Sequence, residues 1–298
     1  MAEKDFAIVC DATCDLPRVF LDKARVLSVR LDGPDRGELD AQRELELLYR
    51  ECAAGGFERV ISVHSAASFS PVVDAARSAA AACADVVNVR VVSSGSLSTA
   101  TGMLIDRAAR YRHLGVGFED AVAALGELAA HVRLLAIPSA STLIAARRSR
   151  RTRVGLIGRA TATLRMRMTG ERGLYLLSDD RATQLARNND TDALAHRLAH
   201  AVTAVSAGEG QLVHAFVSPK GSHVMRALER ALTEEDADSS CLGTVRPSAL
   251  TEGILGPGFV AMAIAPRSAY WRDEAALVGL GSQSGAPARS EGQNRRIT

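Results

Sequence analysis

The residues able to do chemistry gather in three short stretches. Asp11–Pro17 (DATCDLP), His64–Ser70 (HSAASFS) and Ser93–Ser98 (SSGSLS) are dense in hydroxyls and carboxylates. Hydroxyls and free N–H groups at helix starts can hold a carboxylate or phosphate without a metal. The same residues also cap helices, and on residue type alone both uses fit. Two histidines, His196 and His200, lie one helical turn apart in HRLAH. Zinc proteases use that spacing with Glu directly after the first His. Here Arg197 stands in that place and no third ligand is evident, so the pair reads as a surface or packed feature. The five cysteines, Cys10, Cys14, Cys52, Cys83 and Cys241, are scattered. Cys10 and Cys14 lack the two-residue spacing of zinc or redox sites, so reduced, mostly buried thiols are expected. No Walker A loop, G-x-G-x-x-G fingerprint or G-x-S-x-G elbow occurs. The chain therefore asks for no metal and no cofactor, and no catalytic set assembles from it.

The elements that position these stretches follow from apolar periodicity. Strands are expected at Phe6–Cys10, Val26–Leu31, Val60–Val63, Val87–Val92 and Leu134–Ile137. The last four are nearly continuous apolar runs, as strands covered on both faces should be. Helices are expected between them at Glu38–Ala54, Pro71–Cys83, Ser98–His113 and Phe118–His131. Pro71 suits a first helical turn, with Ser70 before it able to cap. Alternation of this kind argues for a parallel α/β sheet, whose ligands bind at the carboxyl ends of the strands. The three hydroxyl-rich stretches fall in those loops.

Near residue 139 the texture changes. A short helix is expected over Ser139–Ala146, followed by a basic stretch, Arg147–Arg172, with nine arginines opposed only by Glu171. The second half offers strands at Leu174–Leu177, Leu212–Val217, Leu242–Val245 and Phe259–Ala265, with helices at Thr191–Ala207 and Gly221–Leu232. The fold class is therefore α/β with two domains. Residues 1–155 form a parallel-sheet unit, 156–280 a second α/β or α+β unit, and 281–298 a polar tail expected to be disordered.

Composition removes several classes. At 298 residues, 47% hydrophobic and 23% charged, the chain can bury a core and is neither fibrous nor globally disordered. No run reaches the ~18 apolar residues of a membrane span. The start, Met1–Asp5, runs straight into an apolar strand and leaves no room for a secretory leader, so a cytoplasmic location is expected. A net charge of +2 argues for neither nucleic acid nor an anionic membrane. The cluster Arg147–Arg153 fits a solvated face, a docking surface or an RNA contact. Aromatic content of 4% gives little support to the last.

Five segments, in order, resemble the DegV family of fatty-acid-binding proteins. Asp11-Ala12-Thr13-Cys14-Asp15-Leu16-Pro17 is similar to the family's opening D-S-T-x-D-L-P. Ile61–Ser70 is similar to its strand followed by S-S-x-L-S-G-T. Val92–Ser98 with Gly102 resembles its D-S-x-x-x-S-x-G-x-G segment. Thr142–Arg151 sits where the family has L-x-x-G-G-R-I, which places Arg151 on the family arginine. Gly256-Pro257-Gly258 matches the core of the late H-x-G-P-G turn. The resemblance runs over about 5–265. It implies two domains with an acyl chain held in a tunnel between them and hydroxyls at the mouth gripping the carboxylate. It also implies a carrier that performs no chemistry of its own and, in some members, presents the carboxylate to a kinase partner.

The departures fall on the polar contacts. The family's paired serines land on Ala66 and Ala67, its late histidine on Ile254, and its G-G on Ser149-Arg150. Each hydroxyl bond to a carboxylate lost without replacement costs ~1.5–3 kcal/mol. The ligand-binding set expected here is Ser65, Ser68, Ser70 and Ser94, with Arg151, Gly256 and Gly258. The first reading is a fatty acid or other acyl-lipid binding protein with no enzymatic activity. The second is a DegV-like scaffold that has lost the ligand and serves as an interaction or regulatory protein.

Overall fold

The computed structural model describes residues 6–29, 38–139, 142, 171–219 and 222–272. Two sheets carry the architecture. The first holds four parallel strands in the order β2-β1-β3-β4: β1 (Ala7–Asp11), β2 (Val26–Val29), β3 (Arg59–His64) and β4 (Asn88–Ser93). Between them run α1 (Arg18–Lys23), α2 (Glu38–Ala54) and α3 (Val72–Ala82). The second sheet is mixed and six-stranded, in the order β7-β6-β5-β10-β8-β9. Its strands are β5 (Arg133–Ile137), β6 (Arg172–Ser178), β7 (Arg181–Asn188), β8 (Leu212–Val217), β9 (Ser239–Val245) and β10 (Val260–Pro266). Only the β8–β9 pair is parallel; the other pairs are antiparallel.

The core divides into three hydrophobic clusters, and their membership gives the layer order. Alternate residues of a strand face opposite ways. Ala7, Val9 and Val60 pack with Leu45, Tyr49 and Ala76 of α2 and α3. Ile8, Cys10, Ile61 and Val63 point the other way, onto α4 (Thr99–Leu114) and α5 (Phe118–His131). That same cluster continues into Leu134, Ala136, Ala261, Ala263 and Ala265 of the second sheet. Leu135, Val260, Met262 and Ile264 face α6 (Thr191–Glu209) and α7 (His223–Glu234). The protein is thus five layers, α2/α3, first sheet, α4/α5, second sheet, α6/α7. The alanines on the inner face of the second sheet leave room for α4 and α5 to approach closely.

The expected elements of the parallel unit form with shifts of one or two residues, and Glu38–Ala54 and Phe118–His131 with none. One strand changes sheets. Leu134–Ile137 reads as the fifth strand of the first unit, yet β5 lies inside the second sheet, antiparallel to both neighbours. Its apolar run reports burial on two faces, and the middle of the second sheet is also covered on both. The expected boundary at 155/156, the Arg147–Arg153 cluster and the tail 281–298 lie outside the described residues. The sheet partners change earlier than that boundary, at β5. β7 was not expected because RATQLARN alternates without an apolar face, as an outer strand can. The short helices α8 (Ala249–Leu255) and α9 (Arg267–Tyr270) were missed for the same want of periodicity. Among the described residues no helix is long and apolar enough to cross a membrane.

Candidate functional site

Register brings the three hydroxyl-rich stretches together. Cys10 pairs with Val63, and His64 with Ser93, so the loops after β1, β3 and β4 leave the same edge of the sheet side by side. Two hydrogen-bond chains converge there on Asp11, which is 1% exposed. In the first, Tyr49 Oη donates to Ser62 Oγ (2.7 Å). Ser62 Oγ and His64 Nε2 are 2.7 Å apart, and His64 Nδ1 lies 2.7 Å from Asp11 Oδ2. In the second, Ser94 Oγ meets Thr101 Oγ1 (2.8 Å), which meets Ser65 Oγ (3.0 Å), which meets Thr13 Oγ1 (2.7 Å). The Thr13 hydroxyl and its N–H both bond Asp11 Oδ1. An Nδ1–H on His64 donates to Asp11 Oδ2, as the Thr13 N–H does to Oδ1. Burial pushes the Asp11 carboxyl up, but the His64 hydrogen bond and charge, with the Thr13 bonds, hold it below the usual range.

Ser62, His64 and Asp11 have the connectivity of a hydrolytic triad. They cannot work as one here. Ser62 and His64 are fully buried, and the Ser62 hydroxyl is already taken by Tyr49 and His64. The network is buried behind the loops.

A second carboxylate ties the two sheet units together. Asp15 sits in the left-handed region (φ 56°) that Asp tolerates. Its Oδ1 accepts from Ser248 N–H (2.7 Å) and the Thr251 hydroxyl (2.9 Å), at the start of α8. Its Oδ2 accepts from the Ser98 hydroxyl, and Ser98 itself is held at φ 61°, ψ −134°. A non-glycine residue keeps such a backbone only when its surroundings impose it. Burial raises the Asp15 carboxyl to about 6, against the three donors that favour its charge. Two more contacts cross the junction. Ser96 Oγ donates to Leu177 O (2.8 Å), and Ser68 N–H donates to Asp180 Oδ1 (2.8 Å) in the β6–β7 turn. Gly102 allows α4 to lie on the β1 turn, since a Cβ there would come within 2.8 Å of Cys14 O.

The expected ligand residues separate into three places. Ser65 and Ser94 are fully buried inside the Asp11 network, joined through Thr101. Ser68 and Ser70 follow them on the β3 loop; Ser70 Oγ accepts from the Val72 N–H at 3.4 Å. Gly256 and Gly258 form the turn between α8 and β10, where the Leu255 carbonyl accepts from Ser139 N–H (2.9 Å). Ser68 meets the β6–β7 turn beside one end of β5, and Gly256 meets Ser139 beyond the other end. At ~3.3 Å per residue, five-residue β5 separates them by about 15 Å. Arg151 lies outside the described residues. The hydroxyls of Ser68, Thr99 and Thr142 are buried with no hydrogen-bond partner among the described residues. Sequence reasoning missed Tyr49, Ser62 and Thr101, and it gave His64 and Asp15 no role of their own within the stretches it singled out. One signal was available: Ser62 and His64 alternate on the same side of an otherwise apolar strand.

The chain is similar to known proteins chiefly through this fold. The model of the DegV family (COG1307) matches residues 37–164. A DegV family protein from Corynebacterium glutamicum is 18% identical, with a TM-score of 0.68 over 88% of this chain and 97% of that one. A DegV family protein from Thermus thermophilus, described by its fatty acid binding, gives 19% identity and a TM-score of 0.69, over 88% and 99% of the two chains. A stearic-acid-binding protein from Eubacterium ventriosum gives 18% and 0.69, over 89% and 99%. A search of curated proteins finds no match. Over residues 37–164 the chain is similar to the DegV family model, and over 88% of its length it shares the fold of these DegV structures.

Proposed function

We propose that this protein binds a long-chain fatty acid between its two sheet units and carries it without transforming it. The observation that carries the reading is a set of buried hydroxyls, on Ser68, Thr99 and Thr142, with no partner among the described residues. Buried donors without acceptors are rare in folded proteins unless water or a ligand completes them. They accompany a fold that coincides with fatty-acid-binding structures over nearly their whole length. In this reading Ser68, Ser70, Gly256 and Gly258 line the cleft. Ser65 and Ser94 stiffen its wall through the Asp11 network. The carrier works in the cytoplasm and hands the carboxylate to a kinase partner, with Arg151 facing either the anionic head or that partner. Arg151→Ala should then weaken partner or ligand binding and leave the melting temperature nearly unchanged.

A specific observation favours a second reading, a scaffold that has lost its ligand. Ala66 and Ala67 replace the family's serine pair, and the neighbouring Ser65 and Ser94 hydroxyls are consumed internally. Mass spectrometry of the purified protein under native and denaturing conditions separates the two. A co-purifying acyl chain, released on denaturation, is expected. A protein that stays ligand-free after expression and after incubation with oleic acid would establish the scaffold reading instead.

A further inference from the structure

Among the described strands, the six-stranded sheet ends on two different edges, β7 and β9. An edge strand presents a row of unpaired N–H and C=O groups, and charges along it keep other strands away. β7 carries Arg181 and Arg187 and no carboxylate, so a second copy of it would meet like charge. β9, Ser-Ser-Cys-Leu-Gly-Thr-Val, carries neither a charge nor a proline. Its residues 241–244 form an unbroken exposed run. At its centre Leu242 is the extra residue of a bulge, because Cys241 pairs with His214 and Gly243 with Ala215 on β8. Leu242 is 39% exposed, and a Cβ at Gly243 would meet nothing within 4 Å. The charges stand just outside the two ends of the strand, Asp238 before it and Arg246 after it, both exposed. Asp238 Oδ1 accepts from Gln211 Nε2 (3.1 Å), and that bond too is exposed.

We infer that β9 is a self-association edge, to which a second copy of this chain adds its own β9 across a two-fold axis. An axis normal to the sheet makes the pairing antiparallel, and each patch meets its own copy. With Leu242 on Leu242 at the axis, counting outward places Cys241 opposite Gly243 and Asp238 opposite Arg246. The Asp238–Arg246 pair then forms twice, once at each end, with the uncharged run between. A bulge twists a lone edge away from partners. Here it sits on the axis, where both copies share it and the two sheets join into one. The inference does not depend on the fatty-acid reading.

The test is sedimentation equilibrium of the full chain from about 0.1 to about 100 µM, a range that brackets micromolar affinity. Wild type should pass from monomer to dimer within it. D238R and R246D each set like charges against each other at both ends, and each should weaken the dimer about ten-fold or more. The double variant D238R/R246D restores the opposition and should recover wild-type affinity within about three-fold. A second variant fixes the register without altering charge. Opposed residues of an antiparallel pair lie within disulfide reach, and Cys10, Cys14, Cys52 and Cys83 are buried. C241S/L242C should therefore give a covalent dimer with oxidised glutathione, while C241S alone should not. A chain that stays monomeric at the highest concentration overturns the inference, as does a dimer indifferent to both single reversals. A double reversal no better than either single one overturns it as well, and so does a C241S/L242C dimer that forms no crosslink.

Discussion

Asp11 and Asp15 are four residues apart and respond to pH in opposite ways. Asp11 is held below its ordinary range, so its contribution is present at neutral pH and is lost on acidification below about 4. Asp15 is raised to about 6 from 3.8, so its neutral form is favoured by folding. The stability tied to it is complete below pH 4 and disappears as pH rises through 6, an amount on the order of 2–3 kcal/mol. Asp15→Asn should therefore flatten the stability profile between pH 4 and 6, as read by urea denaturation across that range. An unchanged slope would mean that Asp15 titrates normally. His64→Ala should be more damaging. It strands Asp11 with only the Thr13 donors and breaks the line from Tyr49, for a loss of about 3 kcal/mol by the same denaturation measurement. Tyr49→Phe removes one neutral bond and should cost about 1 kcal/mol.

At the scale of elements, the β6–β7 hairpin acts as a clasp. Asp179 and Asp180 both adopt positive φ, and Asp180 reaches back to Ser68 N–H while its own N–H bonds Gly95 O (2.9 Å). Asp180→Ala should destabilise the junction by about 1–2 kcal/mol, from one charge-assisted bond and a strained backbone. Asp180→Asn, which keeps an acceptor and tolerates the turn, should recover most of it. Hydrogen exchange of the hairpin amides checks both variants. The elements of the parallel unit were legible because the apolar runs and helical periods of Val60–Val63 and Phe118–His131 are set locally. The sheet membership of β5 was not, because burial on two faces looks the same in either sheet. The site was legible only as three loops. Which hydroxyls face a ligand depends on partners far away in the chain, such as Thr101 for Ser65 and Leu177 for Ser96, and no local spacing encodes those.

The whole molecule is bound by its middle layer. Residues of both sheets and of α4 and α5 belong to one hydrophobic cluster, so neither sheet unit has a complete core alone. Heating should give one cooperative calorimetric transition, and two separable transitions would show independent domains instead. The same layering leaves a junction where Asp15, Ser96 and Ser68 bridge the units. The proposed fatty acid lies at that junction, and its most direct test is a calorimetric titration of delipidated protein with oleic acid and, in parallel, with methyl oleate. One acid should bind per chain, and the ester at least ten-fold more weakly, since the ester lacks the charge that strengthens hydroxyl donation. Equal affinity for acid and ester, or no binding of either, would contradict it.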